Sequence, residues 1–105
     1  SEDRTIELAR VLGMTLQDWT KAYILKDTIS KHENWFNTRS PHALMIDCIY
    51  LVGKHSGNKA VTQSSILKFT KQLWGVVTCP RPHEWRKQFK DVIQQILDSD
   101  DTGGL

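Results

Sequence analysis

An all-helical fold of about five helices around a buried third one is what this chain of 105 residues predicts. Three features point to it. Apolar residues recur every three or four positions along most of the chain, the spacing of a helix face. Serine or threonine stands where helices should open, and glycine where they should close. One stretch, residues 43–52, is apolar nearly all round, and such a helix belongs in the middle of a bundle.

The first helix is expected over residues 5–12, with Ile6, Leu8, Ala9, Val11 and Leu12 inward and Gly13 as the stop. Thr15 is placed to cap the second, and Asp18 follows three residues on in the manner of a capping box. Its inward positions are Leu16, Trp19, Ala22, Tyr23, Leu25 and Ile29, and the pattern fades between Lys31 and Phe36. The polar stretch 34–40 then crosses to the next element, with Trp35 and Phe36 expected to tuck inward.

Ser40-Pro41 opens the third helix, because serine suits the cap and proline at the first helical position gives up an amide hydrogen that has no partner there. A central strand is the competing reading for 48–52, but the run is too long and its start too helix-like. Ser56-Gly57-Asn58 ends it. Thr62 caps the fourth helix, which buries Ile66, Leu67, Phe69, Thr70 and Leu73 and stops at Gly75. After a turn with prolines the last helix, residues 81–97, sets Trp85, Phe89, Val92, Ile93 and Ile96 on one face and Arg86, Lys87, Lys90 and Gln94 on the other. The expected organisation is one domain over 1–97 and an acidic, glycine-rich tail over 98–105.

Charge is uneven. The net value is +2, but from Lys54 to Lys90 the bases Lys54, Lys59, Lys68, Lys71, Arg81, Arg86, Lys87 and Lys90 face a single acid, Glu84. A basic second half points to a polyanionic partner, and a solvated lysine face gives the same count. No apolar run approaches the roughly 20 residues of a membrane helix, and the N-terminal stretch is charged rather than leader-like. A monomer in an intracellular setting is expected, with Cys48 and Cys79 reduced.

The segment 40–70 resembles the cyclin-like repeats of the transcription factor IIB family and its archaeal relatives. The resemblance is carried by Ser40-Pro41-His42-Ala43, Ile49-Tyr50-Leu51, Gly57 and Thr62-Gln63, by the opening Ile6 to Gly13, and by Phe89-Lys90-Asp91-Val92 near the end. It covers roughly residues 6–97, one repeat. The family joins its last two helices by a short Val-Thr-x-Val-Thr turn, whereas residues 77–84 here are longer and hold two prolines.

The resemblance implies a cyclin-like bundle that docks on TATA-binding protein or RNA polymerase subunits and meets promoter double-stranded DNA through a helix-turn-helix, in the nucleus if eukaryotic and the cytoplasm if archaeal. The two helices would be residues 62–74 and 81–97. Recognition helices reach base edges from their first residues, which makes Arg81, His83, Arg86 and Lys87 the candidates for DNA contact, with Lys68, Lys71 and Lys90 set for phosphates. A cyclin-like adaptor that binds only protein is the other reading. No metal or cofactor is expected: His32, His42, His55, His83 and the two cysteines lack zinc-knuckle spacing. No catalytic constellation is legible, and Asp47, an acid on the apolar helix, is expected to be satisfied by a nearby donor rather than to catalyse.

Overall fold

The computed structural model describes residues 4–36 and 39–99. Among these described residues five α-helices follow in order: α1 Thr5–Val11, α2 Leu16–Ser30, α3 Pro41–His55, α4 Gln63–Trp74 and α5 Lys90–Leu97, with one 3₁₀ turn at Pro82–Glu84. Among the described residues there is no strand, and no helix is long and apolar enough to cross a membrane. Of the acidic tail, Asp98 and Ser99 follow α5 and the remainder lies outside the described residues.

The caps do what their residue types allow. Thr15 accepts from the Asp18 amide at 3.0 Å and Ser40 from the Ala43 amide at 3.2 Å, which satisfies donors that the first turn of a helix leaves orphaned. At α4 the box is reciprocal: Thr62 accepts from the Ser65 amide and the Ser65 hydroxyl from the Thr62 amide, both at 3.0 Å. Gly75 ends α4 with φ of 76°, a left-handed conformation that side chains resist.

Helix α3 is submerged. Leu44 through Ile49 and Leu51 through Gly53 are all buried, on every face of the helix. Helix α2 packs along it, α1 packs on both α3 and α4, and α5 packs on α2. Leu8, Leu12, Leu25, Ile29, Leu44, Met45, Ile46, Ile49 and Ile66 are among the largest fully buried side chains of the shared core, and Trp85 and Phe89 join it at its edge. Burial also pushes the Cys48 thiol well above its usual range, with the neighbouring Asp47 acting in the same direction. Cys48 and Cys79 are both free thiols.

Gly53 is where α3 comes closest to its surroundings. A Cβ built there would lie 2.5 Å from Val61 Cγ2 and 2.8 Å from Val61 Cβ, and Val61 is itself fully buried. The glycine therefore admits the valine that leads into α4.

Several periodicity expectations fail at the helix margins. Leu16 is 71% exposed at the first position of α2, and Tyr23 is exposed too, because the α2 stripe that meets α3 is narrower, running through Ala22, Leu25 and Ile29; Val11, at the end of α1, is exposed as well. Phe36 is also exposed rather than tucked inward. The largest correction concerns the end of the chain: the expected helix over 81–97 is an α-helix only from Lys90. Pro82 pushes the residue before it out of the helical region, and Arg81 stands at φ −135° and ψ 51°; residues 82–89 wind through a 3₁₀ turn and bonds such as Gln88 N–H to Trp85 O and Phe89 N–H to Arg86 O, each 3.2 Å.

Gly53→Ala is expected to lower the unfolding free energy by about 1–3 kcal/mol through overpacking, against the usual gain of alanine over glycine in a helix, with partial recovery when Val61→Ala is added. Paired thermal or urea melts of the single and double variants read this. For Cys48, the folded-state pKa is raised, so the folded form holds its proton more tightly than the unfolded chain. Its contribution is whole at neutral pH and is lost as pH rises beyond the ordinary thiol value of about 8.5. Alkylation of the native protein should accordingly modify Cys79 long before Cys48, by peptide mass mapping.

Candidate nucleic-acid interface

The carboxylate of Asp47 lies in the middle of α3 with no exposure to solvent. A charge so placed must be matched by donors. The Arg39 guanidinium supplies a two-pronged grip, Nε to Oδ2 at 3.0 Å and Nη2 to Oδ1 at 2.8 Å. The Arg81 amide donates to Oδ1 at 2.8 Å and the Trp85 indole to Oδ2 at 2.9 Å. Arg39 also reaches the Cys79 carbonyl at 3.3 Å. This pairing raises the Arg39 pKa still further, through its hydrogen bond to Asp47 first of all.

Around the Trp85 ring the chain builds an aromatic cluster. Trp35 stands edge-on to Trp85, with centroids 6.1 Å apart, and at the same distance from Phe89, while His32 meets Phe89 at 5.1 Å. Beyond the buried Pro82, Trp85, Phe89, Ile93 and Leu97 are the buried residues of this closing segment, one every four positions. Lys21 holds the far end by donating to the Leu97 carbonyl at 3.0 Å, where a cation complements the helix terminus.

With that face turned inward, the outer face carries the bases. His83, Arg86, Lys87, Lys90, Ile93, Gln94 and Leu97 line one open groove of about 300 Å³. No carboxylate is among the described residues of its lining. Its walls hold three permanent cations, an imidazole and an amide, and Ile93 and Leu97 give it an apolar floor. Phe89, at the N-cap of α5, offers the helix no side-chain cap, and Asp91 in the first turn is the acid that meets the positive end of the helix dipole.

Four of the seven residues expected to contact DNA therefore converge on the groove. The other three do not. Arg81 turns its guanidinium to Glu84, 3.9 Å away on the surface, and contributes its amide to Asp47 instead. Lys68 lies with its ammonium 5.3 Å from the Phe69 ring, and Lys71 is exposed on the same helix, which packs on α1 while α5 packs on α2. His83, Arg86 and Lys87 also sit ahead of α5 rather than in its first turn, so the groove is walled by a wound turn and one helix face.

Sequence reasoning set Gln94 beside Arg86, Lys87 and Lys90, as the groove has it, but missed Arg39, Ile93 and Leu97 as parts of this region. The last two were within reach, since they follow Lys90 at three and seven positions. Arg39 carried one signal, a buried acid in need of a donor. Among the described residues no group of three histidine, cysteine or acidic side chains is arranged to hold a metal ion.

Removing Arg39 leaves a buried carboxylate short of its only charged partner among the described residues. Arg39→Ala is expected to lose about 3–5 kcal/mol of stability, and Arg39→Lys to lose a substantial part of that, because an ammonium cannot reproduce the fork. Urea denaturation of the two variants beside the parent measures both.

No protein-family model, curated protein or solved structure matches this chain.

Proposed function

We propose that this chain is a nucleic-acid-binding module of the transcription-initiation kind, a cyclin-like bundle that meets double-stranded DNA through the groove beside α5 and docks on TATA-binding protein or a polymerase subunit through other surfaces. The observation that carries the proposal is the convergence of His83, Arg86, Lys87 and Lys90 on one groove free of described carboxylates. Cations gathered this way release counterions from a phosphate backbone, and that release is the main source of sequence-independent affinity. The nucleus, or the cytoplasm of an archaeon, is the compartment that goes with this role.

The geometry changes how the contact is made. A helix-turn-helix reads bases with the first turn of an inserted helix, and here the bases Arg86 and Lys87 lie on the turn before an α-helix of eight residues. Contact is therefore directed at phosphates, with base reading reduced. A protein-only adaptor is the second reading, favoured by the apolar floor of Ile93 and Leu97, which suits a partner side chain better than a phosphate.

Fluorescence anisotropy with a labelled promoter duplex over a range of salt concentrations tests the proposal. The logarithm of the association constant should fall with the logarithm of salt concentration, and replacing Arg86, Lys87 or Lys90 singly by alanine should reduce the slope by about 0.9 each. Lys68→Ala and Lys71→Ala should leave it nearly unchanged. Absence of binding at low salt eliminates the DNA reading, and salt-insensitive capture of a partner protein selects the adaptor.

A further inference from the structure

We infer that Asp47 is a positioning residue for the basic groove, setting where His83, Arg86 and Lys87 stand although its own carboxylate is sealed in the core. The inference rests on the reading of the groove as a phosphate-binding surface. Asp47 takes hold of the closing segment at two points, the Arg81 amide on Oδ1 and the Trp85 indole on Oδ2, at 2.8 and 2.9 Å. Between these points lies the 3₁₀ turn Pro82–Glu84, which carries His83. Immediately after the second come Arg86 and Lys87.

The turn is otherwise held by packing of the buried Pro82 and Trp85, which fixes depth but not the direction of its outer side chains. An i→i−4 bond, Arg86 N–H to Pro82 O at 2.8 Å, closes it, and the bonds that follow at Gln88 and Phe89 are of the weaker i→i−3 kind. It rests on α3, and the Gln88 amide bond to the Asn34 carbonyl at 2.9 Å is exposed. Arg39 ties the preceding stretch to the same carboxylate by holding Asp47 and the Cys79 carbonyl together. One buried anion thus presents three cationic or ionisable side chains to solvent in a fixed arrangement. A groove ordered before the ligand arrives is spared the ordering entropy on binding.

The test separates placement from charge. Asp47→Asn removes a negative charge, which by itself tightens binding to a polyanion, so simple electrostatics and loss of placement predict opposite signs. With a short mixed-sequence DNA duplex as probe, Asp47→Asn is expected to bind about tenfold more weakly. Its salt slope should match the parent's, since no contacting cation has been removed. Trp85→Phe keeps the net charge and an aromatic side chain, though a smaller one, and deletes the indole donor; a loss of about threefold is expected there, again at constant slope.

Hydrogen exchange supplies a readout independent of DNA: amides of residues 81–89 should lose protection in both variants while those of α2 and α3 keep theirs. Unchanged or tighter duplex binding by a folded Asp47→Asn chain, a slope reduced by a full contact, or retained protection over 81–89 overturns the inference. If Asp47→Asn does not fold, Trp85→Phe carries both measurements. Should the parent itself fail to bind duplex, the functional reading falls alone, and the exchange pattern still decides whether Asp47 places the segment.

Discussion

A carboxylate shut away from solvent in the centre of an apolar helix constrains the whole molecule. Helix α3 is surrounded by neighbours that bring only hydrocarbon to most of its surface, so the donors for Asp47 have to come from chain between helices. They do: Arg39 stands just before α3, and Arg81 and Trp85 stand in the segment that precedes α5. Apolar burial alone would accept several registers of these connections against α3. A charge that needs donors at bonding distance accepts one.

The layout of the closing segment follows from that demand. Trp85 has to enter beside α3 with its indole nitrogen facing inward, and Pro82 keeps Arg81, the residue before it, out of the helical conformation. The segment therefore winds irregularly until Phe89 and becomes α-helical only at Lys90. Its inward residues keep a four-residue spacing throughout, with Trp85 and Phe89 against Trp35 and with Ile93 and Leu97 continuing the row along α5. The same winding collects the basic residues on the outside, so the inner and outer faces have one cause.

Much of the architecture was legible because it rests on local chemistry. Ser40-Pro41, Thr62 and Gly75 each mark a helix end by a mechanism that needs no tertiary partner, and the unbroken apolar run of α3 implies burial on all sides wherever the neighbours lie. What sequence periodicity misjudged was width and length. Leu16 and Tyr23 continue an apolar pattern into solvent because α3 covers only part of α2, and how much a neighbour covers is not written in the helix it covers. The start of α5 was misjudged because Trp85 and Phe89 fit a helical stripe equally well in a wound turn. The groove was half legible: its bases were visible as a charge asymmetry, but the separation of Lys68 and Lys71 from them depends on which helices pack together.

The Asp47 assembly also bears on how such a chain can change over generations. Arg39 lies eight positions before Asp47 and Trp85 thirty-eight after it, yet Arg39 cannot be exchanged alone without stranding a charge among apolar side chains, and exchange of Trp85 alone leaves that carboxylate one donor short. Replacement of the set together by well-fitting hydrocarbon is a far gentler change than any of its single steps. The three positions are therefore tied into one unit of inheritance, and a lineage that loses one is under pressure to lose them all or to restore it. Lys68 and Lys71, which no buried group depends on, are free to drift.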